Sequence, residues 1–410
     1  MTTKKYLRSL LLLLIVTAVA FVAAPASAAS HRPTWSATWA RAVQAPAGET
    51  WQGPNWSLDG FADQTLRQEL RVSRGGDNVR VTVSNRYGTG PLRITGATIA
   101  EPGEEDGSVR PGTLRPLTFG LRTSTVIPAG AERVSDAAFL RVGALERLSV
   151  TLYFAGATGP ATYHEVAGDT SYLAEGDHRF DPRATAFTAT DHASYFLSRV
   201  DVAGRPSASV VTFGDSITDG AGATPGTDRR YPDRLAERLA EAGLPYGVLN
   251  TGLSGNELLN DSATAGESAL HRFEHDVLDQ PGVRSVVVLE GLNDIGMAGR
   301  LGRPLTAEML IDGHRTLIAA ARAQGVRVIG ATITPIAGSF YDGPEAEAIR
   351  DAVNDWIRTS GEYDAVVDFD TILAEPGGDK MRAEFSAGDW LHPNDAGLAA
   401  MADAIDLTTL

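Results

Sequence analysis

The chain has 410 residues, no cysteine and a formal net charge of −15 at pH 7. Without cysteine there is no disulfide, thiol nucleophile, Cys-ligated zinc or cysteine-borne lipid anchor. The acidic balance repels phosphate backbones and anionic bilayers, so nucleic acid is set aside as a partner.

Residues 1–28 read as a secretory signal peptide. Lys4, Lys5 and Arg8 form a basic start, an apolar run follows over 10–24, and Ala26-Ser27-Ala28 offers a small-x-small cleavage site. The run is short for a membrane span and no stop-transfer segment follows it. The expectation is a secreted, extracellular protein with no stable membrane insertion after cleavage. What remains exceeds the size one core usually holds, so two domains are expected.

The first domain, over 31–205, reads as an all-β sandwich of jelly-roll type. Asn78-Val79-Arg80-Val81-Thr82-Val83-Ser84 alternates polar and apolar residues, and 92–99, 114–119 and 148–154 do much the same. Turn residues separate these runs, among them Pro102-Gly103, Pro111-Gly112 and Pro128-Ala129-Gly130. Trp35, Trp39, Trp51 and Trp56 suit core or interdomain packing, with stacking on sugars as the alternative use.

The second domain, over 206–410, alternates strands with helices and so predicts an α/β fold with a mostly parallel sheet covered on both faces. Strands are expected at 209–213, 247–250, 285–289, 326–332 and 365–369. Helices are expected from Pro232 to before Gly243, from Thr306 as N-cap to before Gly325, from Pro344 to before Gly361, and from Pro393 onward.

Three short segments carry chemistry. Gly214-Asp215-Ser216-Ile217 follows the first strand, Gly291-Leu292-Asn293-Asp294 follows the third, and Asp389-Trp390-Leu391-His392-Pro393 enters the last helix. Ligands of an open parallel sheet bind outside the carboxyl ends of its strands, so the segments should meet at one edge. They supply the parts acyl transfer needs: Ser216 as nucleophile, His392 as base, Asp389 as the group orienting it, and Asn293 as a donor to the oxyanion. Gly255, in Leu253-Ser254-Gly255-Asn256, allows a backbone N–H to approach substrate, and the Ser216 N–H is a further donor. A helix opening at Pro393 would put His392 at its cap and favour a neutral imidazole.

These segments resemble the sequence blocks of the SGNH (GDSL-type) hydrolases, with Ile217 where the nucleophile block usually has leucine. The resemblance covers about residues 208–410; the β-rich half resembles, more loosely, the sandwich attached to some secreted esterases of that family. It implies ester hydrolysis through an acyl-enzyme without metal or other cofactor, often deacylation of carbohydrates or small esters. The expected partner is therefore a small-molecule or polysaccharide ester. Within esterases, a lipid or aryl ester is the alternative to a short acetyl ester on carbohydrate. Two further readings stand beside these. One is a non-catalytic carbohydrate-binding protein. The other is a zinc hydrolase using His271 and His275 of His271-Arg272-Phe273-Glu274-His275, a His-x-x-Glu-His pattern. Acyl length, the alcohol, the sandwich's ligand and the oligomeric state are not written in the sequence.

Overall fold

Alternation of apolar and polar side chains builds the β-rich half. Val79, Val81 and Val83 point inward from one strand, and Leu148, Val150, Leu152 and Phe154 from another, and all join one hydrophobic cluster. The structure, a computed structural model, describes residues 34–50, 53–204 and 208–410. The expected leader over 1–28 and Trp51 lie outside these residues.

The strands of the two larger sheets in this half are β1 (Thr34–Ala40), β2 (Gln64–Arg71), β3 (Asn78–Ser84), β4 (Gly96–Ala100), β5 (Arg115–Leu117), β6 (Glu132–Val134), β7 (Arg147–Phe154), β8 (Ser171–Glu175), β9 (Ala189–Asp191) and β10 (Leu197–Gly204). They form two antiparallel sheets, ordered β1-β10-β3-β6 and β9-β8-β2-β7-β4-β5. The run expected as one strand over 92–99 changes partner at Thr95. Leu92–Ile94 pairs with Thr125–Ile127, whereas β4 pairs with β7. Trp39 is buried in the sandwich cluster, Trp35 lies under the Arg80 guanidinium, and Trp56 stacks on Tyr195.

The α/β half contains β11 (Ala208–Gly214), β12 (Tyr246–Gly252), β13 (Val283–Leu289), β14 (Arg327–Ala331) and β15 (Ala365–Val367). All pair in parallel, in the order β12-β11-β13-β14-β15. Val286, Val287, Val288 and Leu289 are buried in succession, as expected for a strand covered on both faces. The helices are α1 (Ser216–Asp219), α2 (Tyr231–Glu241), α3 (Ala269–Phe273), α4 (Leu292–Leu301), α5 (Ala307–Ala323), α6 (Pro344–Thr359), α7 (Phe369–Leu373) and α8 (Asp395–Ala404). Thr306 caps α5 by accepting from the Met309 N–H, and Pro344 occupies the first turn of α6. Helix α4 was not anticipated, because Gly291-Leu292-Asn293-Asp294 reads as turn chemistry.

The last helix begins later than expected. Asn394, not His392, is its N-cap: Asn394 Oδ1 accepts from the N–H groups of Ala396 and Gly397 at 3.0 and 3.1 Å. Asparagine is a far better cap than histidine, so the helix starts beyond Pro393. His392 sits in the preceding loop, and the expected influence of a helix end on its ring does not apply.

Both halves belong to one compact unit, Pro33–Leu410. Strand β12 is an edge of the parallel sheet, and the sandwich covers it. The Val248 N–H donates to Ser73 Oγ at 2.9 Å, Ser209 Oγ donates to the Ala37 carbonyl at 3.2 Å, and Ala37 and Ala40 of β1 join the α/β core. No helix among the described residues is long and apolar enough to cross a membrane.

Candidate active site

The strand order reverses at β11. The chain passes from β11 outward to β12, then returns to the other side of β11 to form β13. A crevice opens where the two directions diverge, beyond the carboxyl ends of the strands. Ser216 lies two residues past the end of β11, and Asn293 opens α4 just after β13. Gly214 makes the nucleophile turn possible: a Cβ there would lie 2.2 Å from Thr218 Oγ1 and 2.5 Å from the Leu289 carbonyl. Asp215 caps α1, accepting from the Ile217 N–H at 2.9 Å, and burial pushes its carboxyl up to about 6.

Three side chains line up across this crevice. Ser216 Oγ lies 2.9 Å from His392 Nε2, and His392 Nδ1 lies 2.6 Å from Asp389 Oδ2. The other Asp389 oxygen accepts from the N–H groups of Leu391 and His392 at 3.0 and 2.9 Å. Burial raises the Asp389 pKa, but these hydrogen bonds outweigh it and hold the carboxyl well below the usual carboxylate range. Asp389 therefore accepts from Nδ1–H, which leaves the Nε2 lone pair for the Ser216 proton.

Asn293 is oriented from both ends of its amide. Its Nδ2 donates to the Asn256 carbonyl at 2.9 Å, and its Oδ1 accepts from Tyr341 Oη at 3.0 Å. A carbonyl only accepts, so the first contact fixes which end is nitrogen and leaves one Nδ2 proton unused. Burial pushes the Tyr341 hydroxyl up to about 12, which keeps it a donor. Gly296 of α4 makes room for that ring: a Cβ there would lie 2.2 Å from Tyr341 Cδ1. Gly255 has φ +77°, a conformation that favours glycine, and follows Ser254, which Asp219 holds through both its N–H and its hydroxyl. The other residue of the block, Asp294, turns away and accepts from the N–H groups of Leu258 and Leu259 at 2.6 and 2.9 Å. Burial pushes its carboxyl up to about 7.

The His-x-x-Glu-His segment is helical, but its buried members are Arg272 and Phe273, not the histidines. His271 faces Asp261 at 2.8 Å, while His275 bonds Asp276 at 2.7 Å and approaches Glu132 of the sandwich at 3.4 Å. Each histidine is thus held by carboxylates of its own. Arg272 donates to the carbonyls of Gly214 and Thr251, to Asn256 Oδ1, and to Asp276 and Glu290, all within 3.0 Å. One guanidinium thereby ties the ends of β11 and β12 to the residue that holds Asn293. Burial pushes the Glu290 carboxyl up and Arg272 opposes this. Arg272→Met is expected to destabilise the protein by about 3–5 kcal/mol, because it leaves buried acids and carbonyls unpaired. Denaturant unfolding checks this; a loss below about 1 kcal/mol would contradict it.

A cleft of about 230 Å³ opens onto Ser216, His392, Asn293 and Gly255. Val166 of the sandwich, Ala221, Met297 and Leu391 give it apolar walls, and Ser262 and Thr264 add hydroxyls.

A parallel α/β sheet with a serine, an imidazole and a carboxylate joined at its carboxyl edge defines a hydrolase of the SGNH type. Residues 212–400 match the GDSL-like Lipase/Acylhydrolase family. No curated protein matches the chain. Solved structures similar to it include an acetyl xylan esterase from Geobacillus stearothermophilus (22% identity, TM-score 0.39, covering 48% of this chain and 92% of that one). A second is the acetyl xylan esterase AlAXEase (22%, TM-score 0.38, 48% and 96%). A third is an aryl esterase from M. smegmatis (17%, TM-score 0.39, 48% and 95%).

Proposed function

We propose that the protein is a secreted serine esterase that cleaves short acyl esters, acetyl above all, from carbohydrate. The observation carrying this reading is the continuous Ser216–His392–Asp389 hydrogen-bond chain opening onto a small cleft. Ser216 Oγ attacks the ester carbonyl while His392 Nε2 takes its proton, and Asp389 balances the imidazolium. The oxyanion is met by the Ser216 and Gly255 N–H groups and by the free Nδ2 proton of Asn293. The intermediate collapses, the alcohol leaves with the proton from His392, and water repeats the sequence on the acyl-enzyme to release the acid. No step calls for a metal. The modest cleft volume favours a short acyl group, and hydroxyls beside apolar walls suit a sugar alcohol.

The test is hydrolysis of acetylated polysaccharides and of p-nitrophenyl esters of graded chain length, with a serine-directed phosphonate to label the nucleophile. Turnover falling with acyl length, with the label on Ser216, is the expected result. Preference for long-chain or aryl esters would move the reading to a lipase or arylesterase. Activity lost on chelation and restored by zinc would favour the His271/His275 site. Asn293→Ala should lower kcat by about 10²–10³ with little change in KM, since the lost donor acts on the transition state. A raised KM at constant kcat would make Asn293 a substrate-binding group instead.

A further inference from the structure

We propose that His164 of the sandwich and Asp219 of α1 form a positioning pair that fixes the Ser254–Gly255 peptide, so that the sandwich is a working part of the oxyanion site. This rests on the esterase reading above.

Asp219 ends α1, three residues after Ser216, and is 3% exposed. Its Oδ2 accepts from the Ser254 N–H at 3.1 Å and from Ser254 Oγ at 2.7 Å. One carboxylate oxygen thus holds Ser254 by main chain and side chain together. The next peptide plane carries the Gly255 N–H, so its direction depends on how firmly Ser254 is held. An oxyanion donor displaced by an ångström loses much of its effect.

The other Asp219 oxygen faces the sandwich, with His164 Nε2 3.0 Å away. His164 is 1% exposed, with Nδ1 2.9 Å from the Ala42 carbonyl and Nε2 3.0 Å from the Val166 carbonyl. Both ring nitrogens face acceptors. An Nε2–H therefore reaches Asp219 and the Val166 carbonyl together, and the ring is held from both of its nitrogens. A buried polar contact contributes little to stability compared with apolar packing, so this one is better understood through what it positions. The same segment delivers Val166, two residues on, to the wall of the cleft. Neither His164 nor Asp219 is bonded to Ser216, His392 or Asn293; the pair acts through Ser254.

The experiment compares the full-length wild type with His164→Ala and His164→Gln. Rates on p-nitrophenyl acetate are divided by the number of sites titrated to completion with a fluorophosphonate, so unfolded protein does not count. His164→Ala should lower kcat per titrated site about 10–100-fold with KM within about threefold. His164→Gln, whose amide can still donate to Asp219, should recover most of that loss. Two results overturn the inference: an unchanged kcat per site with only a lower Tm, or a raised KM at constant kcat. Equal damage in both variants also overturns it, because a donor to Asp219 would then not be what matters. A wild type that neither turns over any ester nor takes the label overturns the esterase reading itself, a result distinct from the other three.

Discussion

Ser216→Ala is expected to lower kcat by about 10⁵–10⁶, the largest effect of any single substitution here. The hydroxyl is the atom that becomes covalently acylated, and its hydrogen bond runs to His392 Nε2. It braces no other part of the fold, so the variant should melt within a few degrees of the wild type. Ser254 is the useful contrast, because its hydroxyl holds Asp219 and its loss disturbs a buried carboxylate. Residual hydrolysis above the uncatalysed rate should survive in Ser216→Ala, since the oxyanion donors and the cleft remain. The measurement is kcat on the best ester from the chain-length series, with phosphonate labelling in parallel. A variant keeping more than a tenth of the rate would place the nucleophile elsewhere.

Why Ser216 could be found from sequence, and other residues could not, follows from the range of their interactions. Asp389 and His392 are three positions apart, so a short motif records their pairing. Ser216 and Asn293 each follow a strand whose apolar run is plain, and strand order alone carries both to one edge. Tyr341 orients Asn293 from 48 positions away, Arg272 reaches the Gly214 carbonyl across 58, and His164 reaches Asp219 across 55. No local pattern encodes such pairs; the first two exist only once the α/β half has folded, and the third only once the halves have packed.

The His-x-x-Glu-His segment shows the converse. Its residue types suit a metal, but the pattern is silent on which side chains face inward, and the buried ones are the arginine and phenylalanine between the histidines. The start of α8 is a smaller case. Pro393 and Asn394 are both good signals for a helix beginning, and the side-chain cap decides which prevails. The β-rich half was legible as strands but not as a contributor to the site, because His164 lies in a two-residue strand and Val166 just after it, with no motif to mark either.

Asp389→Asn is expected to lower kcat by about 10⁴ while leaving the fold intact. The amide oxygen of an asparagine can still accept from the Leu391 and His392 N–H groups, so the loop keeps its shape. Its nitrogen, however, would replace the oxygen now 2.6 Å from His392 Nδ1. Facing a donor, Nδ1 becomes the unprotonated nitrogen and the ring proton moves to Nε2, where it blocks acceptance from Ser216. The variant thus loses both the working tautomer and the charge that balances the imidazolium. Asp389→Ala should be as inactive but less stable, since it also removes the acceptor for two backbone N–H groups. The pH profile separates the roles further. The Asp389 carboxyl is held below its ordinary value, so its ionised form stabilises the fold above the unfolded-state value of ~3.9 and is lost only as pH falls through the depressed one. It stays charged throughout the range where an imidazole titrates. The acid limb of wild-type kcat/KM should therefore follow one proton on His392, with no second step from Asp389. A profile flat from acid to neutral pH, with chemistry shown to be rate-limiting, would remove His392 as the base. A loss below tenfold in Asp389→Asn would show that Ser216 and His392 work without a charged partner.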